Sequence, residues 1–303
     1  MKVLVTGSLG FIGSHVVSAL ADDDVEVFGV DILKPKIKWE NKGIIQIQGD
    51  INESETWIKQ VGNVDAVIHL AAQTSVPRGE KSPNLDVITN VLGTLSVLNA
   101  AKSLGAKEFR FASSSAVYGL PKTHLLSEES NIAPVSYYGI SKYSAEILVQ
   151  HYCSTNDIRY LIYRMSNVYG PGQKSDSEGG VVAIFSNNIV KGKPIFIFGD
   201  GNQTRDFIYV NDVADAFIFN LGNILRDYVL NLSTGSETKI LELAKMIVSM
   251  SGFSDFPIEF KGRRAGDIDH SVLSNFKLKE FGVIPKTRLN EGLRETYNHY
   301  MNE

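Results

Sequence analysis

The chain has 303 residues, of which 43% are hydrophobic and 21% are charged, and its formal net charge is -4 at pH 7. This balance has no basic excess, so it argues against a nucleic-acid partner. No apolar run reaches the roughly 18 residues that a membrane span needs, and a single cysteine excludes an internal disulfide and favours a cytoplasmic protein.

A strand, a glycine-rich turn and a helix are predicted at the start of the chain. Residues 2–6 form a β-branched run typical of a buried strand, and a helix is predicted over 14–21. Gly7, Gly10 and Gly13 lie near the junction between them. Glycines here permit a tight turn and let a pyrophosphate approach the helix N-terminus. Because strand and helix flank the triplet as required, we predict a dinucleotide-binding turn.

The second predicted strand, 25–30, ends in an acidic residue. Asp31 follows Gly13 at close to the spacing of about 20 residues at which a carboxylate binds the adenosine ribose hydroxyls. The same charge would repel a 2′-phosphate, so the sequence favours NAD over NADP. The alternative is a strand-end acid that only caps a turn.

Later apolar runs continue the alternation of strands and helices. Four further strands are predicted over 44–51, 64–70, 109–112 and 158–163. A long helix is predicted over 83–104, and its apolar stripe of Val87, Val91, Leu95, Leu98 and Ala101 is interpreted as core first and dimer face second. Residues 1–171 are thus predicted to be an α/β, Rossmann-type domain with a doubly wound parallel sheet. Residues 172–303 are predicted to be mainly a smaller C-terminal α/β substrate domain, with an approximate boundary across which the chain can return.

Polar and small residues follow the predicted strands, at the sheet edge where ligands bind in open parallel sheets. Asp50 and Ile51 are candidate adenine contacts. The small residues in the segment 70–73 would let its backbone lie close to a flat cofactor. His69 has no partner at metal-ligand spacing, so it is predicted to be a satisfied core histidine, and no metal is expected. Ser114 follows the fifth strand, where its hydroxyl can bind a substrate alcohol.

Tyr138 and Lys142 are four residues apart in a predicted helix and therefore share a face. A nearby ammonium favours the phenolate, which lets a tyrosine exchange protons with an alcohol. Taken alone the pair is a weak signal, because a packed ring and a solvated amine are common on helices. The significance of the pair depends on Ser114 and the glycine turn.

Five motifs occur together in a specific order. They are Gly7-x-x-Gly10-x-x-Gly13, His69-Leu-Ala-Ala72, Ser113-Ser-Ser-Ala-Val-Tyr-Gly119, Tyr138-x-x-x-Lys142 and Asn167-Val-Tyr-Gly-Pro171. In this order the chain resembles an extended short-chain dehydrogenase/reductase of the nucleotide-sugar branch, and most closely the UDP-glucose 4-epimerases. The resemblance implies tightly held NAD, a UDP-sugar substrate and a homodimer formed through residues 84–104 and 137–154.

By position, the resemblance implies that Ser114 bonds the sugar 4-hydroxyl, Tyr138 is the acid/base, and Lys142 activates Tyr138 and binds the nicotinamide ribose. The predicted NAD contacts are Gly7, Gly10, Phe11, Ile12, Gly13, Asp31, Asp50, Ile51, Leu70, Ala71, Ala72, Gln73 and Lys142. The predicted nucleotide-sugar contacts, besides Ser114 and Tyr138, are Asn167, Val181, Arg205, Arg264, Asp267 and Ser271.

The residue at position 116 bears on the type of reaction. Family members that eliminate water carry an acidic pair where this chain has Ser115 and Ala116, and alanine cannot transfer a proton. The expected reaction is NAD-dependent 4-epimerisation of UDP-glucose/UDP-galactose, and of the N-acetyl pair because Ser271 is small, through a 4-keto intermediate. A nucleotide-sugar 4-ketoreductase or dehydrogenase and a non-catalytic NAD-sensing regulator remain alternatives, and the physiological sugar (hexose, N-acetylhexosamine or uronic acid) is open.

Overall fold

A computed structural model describes residues 1–21, 25–35, 43–120, 123–176, 179–263 and 268–303. The strands within these residues are β1 Lys2–Thr6, β2 Glu26–Asp31, β3 Ile44–Gln48, β4 Ala66–His69, β5 Glu108–Ser114, β6 Leu125–Leu126, β7 Arg159–Met165, β8 Asn167–Tyr169, β9 Ile195–Phe198, β10 Thr204–Arg205, β11 Phe207–Tyr209, β12 Tyr228–Leu232, β13 Thr238–Lys239, β14 Ile258–Lys261 and β15 His270–Leu273.

Helices alternate with most of these strands. The α-helices are α1 Phe11–Ala21, α2 Ser54–Trp57, α3 Val76–Lys81, α4 Pro83–Asp86, α5 Gly93–Ser103, α6 Tyr137–Thr155, α7 Val181–Val190, α8 Val210–Ile218, α9 Ile240–Ser251, α10 Phe276–Phe281 and α11 Leu289–Asn302. Short 3₁₀ turns cover Ile51–Glu53, Ile58–Gln60 and Ser115–Tyr118, and a π-helical turn covers Val87–Leu92. No helix in the described ranges is both long enough and apolar enough to cross a bilayer.

The chain forms two compact units. The first unit comprises Met1–Gly119, Ile132–Arg164 and Ala214–Leu230, and the second comprises Leu120–Asn131, Met165–Val213 and Asn231–Glu303. This division differs from the sequence boundary at residue 171. Segment 120–131 groups with the second unit because its strand β6 pairs with β15. Segment 214–230 groups with the first because Arg110 Nη1 donates to Phe217 O and to Phe219 O, each at 2.8 Å.

The first unit is built on a seven-stranded sheet of order β12-β7-β5-β4-β1-β2-β3. The pairs β1–β2, β2–β3, β1–β4 and β4–β5 are parallel. The order reverses direction at β1, between β2 and β4, and ligands bind at such a switch point in doubly wound sheets. The predicted Rossmann-type sheet is confirmed. Its core includes fully buried side chains on strands and helices alike, such as Leu4, Trp57, Val67, Phe109 and Ile162.

The predicted helix over 83–104 is confirmed over residues 83–103, but it contains a π turn that was not predicted. The chain there forms α4, then the π turn, then α5, and a π turn adds a residue that changes which face is buried. Leu98 is fully buried as predicted, but Val87 at the start of the π turn is 48% exposed. The predicted apolar stripe therefore contributes to the core only in its C-terminal half.

The second unit contains a four-stranded sheet of order β13-β10-β15-β6 and the two-stranded pairs β8–β11 and β9–β14. Strand β10 is antiparallel to β13 and parallel to β15, and β15 is parallel to β6. Helix α11 packs closely against the Tyr169 side chain of β8, since a Cβ on Gly292 would lie 2.4 Å from the Tyr169 hydroxyl oxygen. The unit is of mixed α/β composition, as predicted for the C-terminal part.

Candidate active site

The glycine turn joins β1 to α1 and has no room for side chains at two positions. Gly7 has a φ of +69°, and its N–H donates to Val30 O at 2.8 Å. A Cβ on Gly7 would lie 2.7 Å from Ala71 N, and one on Gly13 would lie 2.0 Å from Gly7 O. Backbone alone therefore lines this turn before α1, and a helix N-terminus of this kind favours an anion. The observed geometry fits the predicted pyrophosphate site, with Gly10, whose N–H donates to Gly7 O at 3.0 Å, closing the turn.

Asp31 ends β2 and supports the glycine turn directly. Its side chain is buried at 7% exposure; Oδ2 accepts from Leu9 N–H and Oδ1 from Leu33 N–H, each at 2.9 Å. Phe11 and Ile12 open α1 immediately after the turn. The turn-capping alternative and the ribose-binding interpretation are thus compatible, because each carboxylate oxygen has a second lone pair.

Asp50 caps a 3₁₀ turn at the end of the third predicted strand. Its Oδ1 accepts from Asn52 N–H at 2.8 Å, and Ile51 is buried. The carboxylate of Asp50 therefore has a structural role whether or not this segment also contacts adenine.

The segment Leu70–Gln73 follows β4 beside the glycine turn. Leu70 N–H donates to Thr6 O at 3.2 Å, and Ala71 N–H donates to Thr6 Oγ1 at 3.4 Å. Gln73 N–H donates to Asn90 Oδ1 at 2.8 Å, while Asn90 Nδ2 donates back to Gln73 O at 3.0 Å. These bonds connect both ends of the segment, which includes Ala72, to β1 and to the π turn.

His69 is a core residue, as predicted. Its Nδ1 lies 2.6 Å from Thr6 Oγ1 and its Nε2 lies 3.0 Å from Thr94 Oγ1. Burial, followed by the nearby positive charge of Lys142, lowers the pKa of His69 to about 3. The ring is therefore neutral at physiological pH, with both nitrogens satisfied.

Tyr138, Lys142 and Ser114 are brought together at the end of β5 and the start of α6. Ser136 caps α6 by accepting from Gly139 N–H at 3.0 Å, and this cap places Tyr138 in the first turn. The Tyr138 side chain is hydrogen-bonded to Ser114. Lys142, one turn along, is 3% exposed, and its Nζ lies 4.6 Å from the ring centroid of Phe111.

Burial sets the protonation of both groups. It raises the pKa of Tyr138. The hydrogen bond with Ser114 lowers this pKa, and the negative charge of Asp86 raises it. Burial also lowers the pKa of Lys142 to about 8, and the charges of Glu146 and Asp86 act in the opposite direction. At neutral pH the lysine is therefore predominantly an ammonium, held in place although it is desolvated.

Glu146 is a buried carboxylate near Lys142 that was not predicted from the sequence. Its side chain is fully buried and accepts from the Ser113 hydroxyl. Arg164 binds it through two nitrogens, with Nε to Oε1 at 3.1 Å and Nη2 to Oε2 at 2.8 Å. The spacing of four residues from Lys142 places Glu146 on the same helical face, and this spacing was the available signal.

Asp86 is the second carboxylate. It is fully buried, and its Oδ1 accepts from Gln73 Nε2 at 2.6 Å. Its Oδ2 has no hydrogen-bond partner among the described residues, and burial raises the pKa of Asp86. Asp86 lies near Tyr138 and Lys142, and the π turn begins at the next residue. Nothing in the helical periodicity of the sequence indicates such a turn.

The second unit contains the described nucleotide-sugar candidates. Arg205 on β10 pairs in register with Ser271 on β15, so the two side chains share a face. Arg205 Nη1 donates to Ile268 O at 2.7 Å. Asn167 begins β8 and Val181 begins α7.

Two further candidates, Arg264 and Asp267, lie outside the described residues.

A buried acid that was not predicted, Asp206, orders the backbone beside Arg205. It accepts from Thr234 N–H at 3.0 Å and from Gly235 N–H at 2.9 Å. The polar cluster around Thr234 that the sequence contains is therefore explained by Asp206.

We expect the buried ammonium of Lys142 to be visible in the pH dependence of stability. Between its folded pKa of about 8 and an unfolded value of about 10.4, the unfolded state holds more protons, so the free energy of unfolding rises with pH. Relative to Lys142→Met, wild type should therefore gain stability from pH 8 to pH 10, by at most on the order of 3 kcal/mol. Urea unfolding of nucleotide-free protein measures the difference, and exposed Lys102→Met is the control. A stability difference between wild type and Lys142→Met that stays constant from about pH 7 to pH 10 would contradict the expectation.

Comparisons with known proteins agree with this geometry. Residues 3–232 match the NAD dependent epimerase/dehydratase family. A crystal structure of UDP-glucose 4-epimerase with UDP-glucose from Thermotoga maritima is 35% identical, with a TM-score of 0.92 over 100% of this chain and 99% of that chain.

Two further solved structures cover the same extent. The UDP-N-acetylglucosamine 4-epimerase from Methanobrevibacter ruminantium, in complex with UDP-N-acetylmuramic acid, is 34% identical, with a TM-score of 0.92 over 99% of this chain and 98% of that chain. The UDP-glucose 4-epimerase from Thermus thermophilus in complex with NAD is 34% identical, with a TM-score of 0.90 over 99% of both chains. The chain belongs to the NAD dependent epimerase/dehydratase family.

Proposed function

We propose that this chain is an NAD-dependent UDP-hexose 4-epimerase. The observation that carries the proposal is the hydrogen bond between Tyr138 and Ser114, one helical turn from the buried ammonium of Lys142. Structures at 34–35% identity that cover nearly the whole chain are 4-epimerases of UDP-glucose and UDP-N-acetylglucosamine. The named residues, the family and these relatives support the same chemistry.

Tyr138 is the acid/base of the proposed reaction. As phenolate it takes the proton of the sugar 4-hydroxyl, and as phenol it returns a proton after the sugar has turned over. Because burial raises the pKa of Tyr138, the phenolate depends on the adjacent Lys142 ammonium. Ser114 interacts with the phenol, since it lowers the pKa of Tyr138, and its hydroxyl orients the 4-hydroxyl.

The residues of the glycine turn would hold NAD, with Asp31 at the adenosine ribose and Lys142 at the nicotinamide ribose. The fit rests on two glycines whose Cβ atoms would collide with backbone at 2.0 and 2.7 Å. NAD held there would supply a hydride acceptor and donor for oxidation and reduction at C4 of the sugar. Asp50, Ile51 and the Leu70–Gln73 segment remain proposed contacts.

Arg205 and Ser271 are proposed to bind the nucleotide sugar. Their pairing in register on β10 and β15 supports a shared surface, and a guanidinium binds phosphate oxygens with two parallel hydrogen bonds. Asn167 and Val181 are proposed to line the same ligand. Arg264 and Asp267 stay predictions from the resemblance.

We propose a homodimer formed through the π turn with α5 and through α6. Five apolar side chains in these segments are between 47% and 52% exposed, namely Val87, Ile88, Leu92, Ile140 and Ile147. Exposed apolar side chains concentrated on two helical segments are typical of a protein interface. The cytoplasmic location stays a prediction.

The other two functions are less favoured. A non-catalytic regulator has no need of Ser114, Tyr138 and Lys142 together, and all three are present. A net ketoreductase releases its cofactor at each turnover, so consumption of free NADH during the reaction would favour it.

Tyr138→Phe is expected to abolish turnover while NAD stays bound. Removal of a general acid–base group lowers rates roughly 10²–10⁴-fold. Conversion of UDP-galactose to UDP-glucose, followed by anion-exchange chromatography, measures the loss, and the neighbouring, exposed Tyr137→Phe is the matched control. A Tyr138→Phe enzyme that keeps more than about a tenth of the wild-type rate would exclude Tyr138 as the base.

Wild-type protein is expected to bind NAD at least about tenfold, or ~1.4 kcal/mol, more tightly than NADP, because the Asp31 carboxylate repels a 2′-phosphate. Asp31→Asn should reduce this preference and weaken NAD binding, since an amide cannot accept from both Leu9 and Leu33 N–H groups. Calorimetry on nucleotide-free protein measures both constants, with Glu26→Gln on the same strand as control. Equal affinity of the wild type for the two dinucleotides would refute the role of Asp31.

Wild type is expected to convert both UDP-hexoses and their N-acetyl counterparts, since Ser271 leaves room beside the sugar C2 substituent. Ser271→Tyr should lose the N-acetyl pair selectively, by about 10–200-fold, which is the range of one pocket contact. Ser271→Ala is the control, because it keeps the space. If Ser271→Tyr lowers both activities equally, Ser271 does not line that part of the pocket.

A further inference from the structure

Three ligating side chains of the second unit converge at the solvent-exposed side of its four-stranded sheet. His124 Nε2 lies 2.9 Å from Glu237 Oε2, and His270 Nδ1 lies 3.1 Å from Glu237 Oε1. One ligating atom from each of the three residues lies within 4.8 Å of those of the other two. The imidazole ring centroids of the two histidines are 5.0 Å apart, so both rings approach one carboxylate.

The topology of the sheet produces this convergence. Thr204 on β10 pairs with His270 on β15 and, on its other side, with Lys239 on β13. Glu237 lies two residues before Lys239 and hence on the same face as Thr204. His124 immediately precedes β6, the strand on the far side of β15. The three members of the cluster thus lie on β15 and immediately before β6 and β13.

Thr204 orients the ligands without needing to bind an ion itself. Its hydroxyl donates to Glu237 Oε1 and lies 3.0 Å from His270 Nδ1. The hydrogen bond from Thr204, followed by those from His270 and His124, lowers the pKa of Glu237. Outer hydrogen bonds of this kind fix the orientation of metal ligands.

The chemistry of the three side chains selects the class of ion. Two imidazoles and one carboxylate suit zinc and similar divalent transition metals, whereas magnesium and calcium prefer oxygen ligands only. Bonds of about 2.0–2.1 Å in tetrahedral geometry separate ligand atoms by about 3.3 Å. One ligand atom from each of the three residues lies within 4.8 Å of the others, so side-chain rotation has to bring these atoms closer to one another to reach this value.

We propose that His124, Glu237 and His270 bind one divalent transition metal ion of the zinc class, with water completing the coordination. The ion cross-links three segments that are far apart in sequence. One of these segments adjoins a proposed substrate contact, because His270 precedes Ser271, and Thr204, which is hydrogen-bonded to Glu237, precedes Arg205. These next residues point to the opposite face of the sheet, so the role of the ion is to hold the strands rather than to contact the sugar.

This site was not expected from the sequence, which predicted no metal. Metal sites are recognised in sequence by short ligand spacings, and these ligands are brought together only by the pairing of β10, β13, β15 and β6. The inference is independent of the proposed epimerase activity, since binding of the ion is measured without substrate.

Zinc titration of the full, tag-free, chelator-treated protein by calorimetry tests the proposal. We expect one zinc ion per chain, and a loss of affinity of at least about tenfold in His124→Ala, in His270→Ala and in Glu237→Gln, since each removes one ligand. His151→Ala, an exposed histidine on α6, should keep wild-type affinity. Binding should weaken on acidification, because imidazole must be deprotonated to bind a metal.

Cobalt substitution and thermal unfolding give two further measurements. Cobalt should produce the visible absorption of a low-symmetry four-coordinate site in wild type and not in His270→Asn, a variant of milder shape change. Zinc should raise the melting temperature of wild type and leave that of His270→Asn unchanged. No zinc binding by wild type, or zinc binding unaffected by all three ligand substitutions, would show that the cluster is an ordinary ion pair and overturn the proposal.

Discussion

The catalytic half of this protein depends on one costly arrangement, an ammonium group buried against an aromatic ring. Lys142 is 3% exposed and lies over Phe111, and burial alone would discharge it near neutral pH. Two buried carboxylates, Glu146 and Asp86, raise its pKa again. The positive charge of Lys142 therefore persists at neutral pH although its side chain is buried.

The two carboxylates are held in different ways, and this difference has consequences for the site. Glu146 accepts hydrogen bonds from the guanidinium of Arg164 and the hydroxyl of Ser113, so it is a fixed element of the core. Asp86 keeps one oxygen unpaired among the described residues and directly precedes a π turn. Such turns are frequent at functional sites, and this one accompanies a negative charge near Tyr138 that a regular helix would direct elsewhere.

Local sequence patterns predicted the parts of the site that depend on short spacings. The glycine turn, Asp31 and the Tyr138–Lys142 pair each need only neighbouring residues and one strand–helix junction, and the sheet follows from the alternation of apolar runs. Features that depend on pairing between distant segments could not be predicted this way. The helix predicted over 83–104 is continuous in the structure, but helical periodicity did not reveal its π turn. Strand β6 was not predicted in the second unit because its partner β15 lies near the end of the chain, and the His124–Glu237–His270 cluster was missed for the same reason.

The pairing of Leu125 with Val272 and the return of residues 214–230 to the first unit also affect how the protein is made. A chain leaving the ribosome presents the glycine turn, β1 to β5 and α6 long before either unit has all its parts. The first unit is incomplete until residue 230 has been synthesised, and the four-stranded sheet of the second unit is incomplete until β15 has been synthesised. Because contacts between distant residues form slowly, the apolar edges of the nascent sheet stay uncovered until most of the chain has emerged. Truncation before residue 214 would therefore leave the first unit without its last segment and its sheet without β12, which favours aggregation over an independently folded N-terminal half.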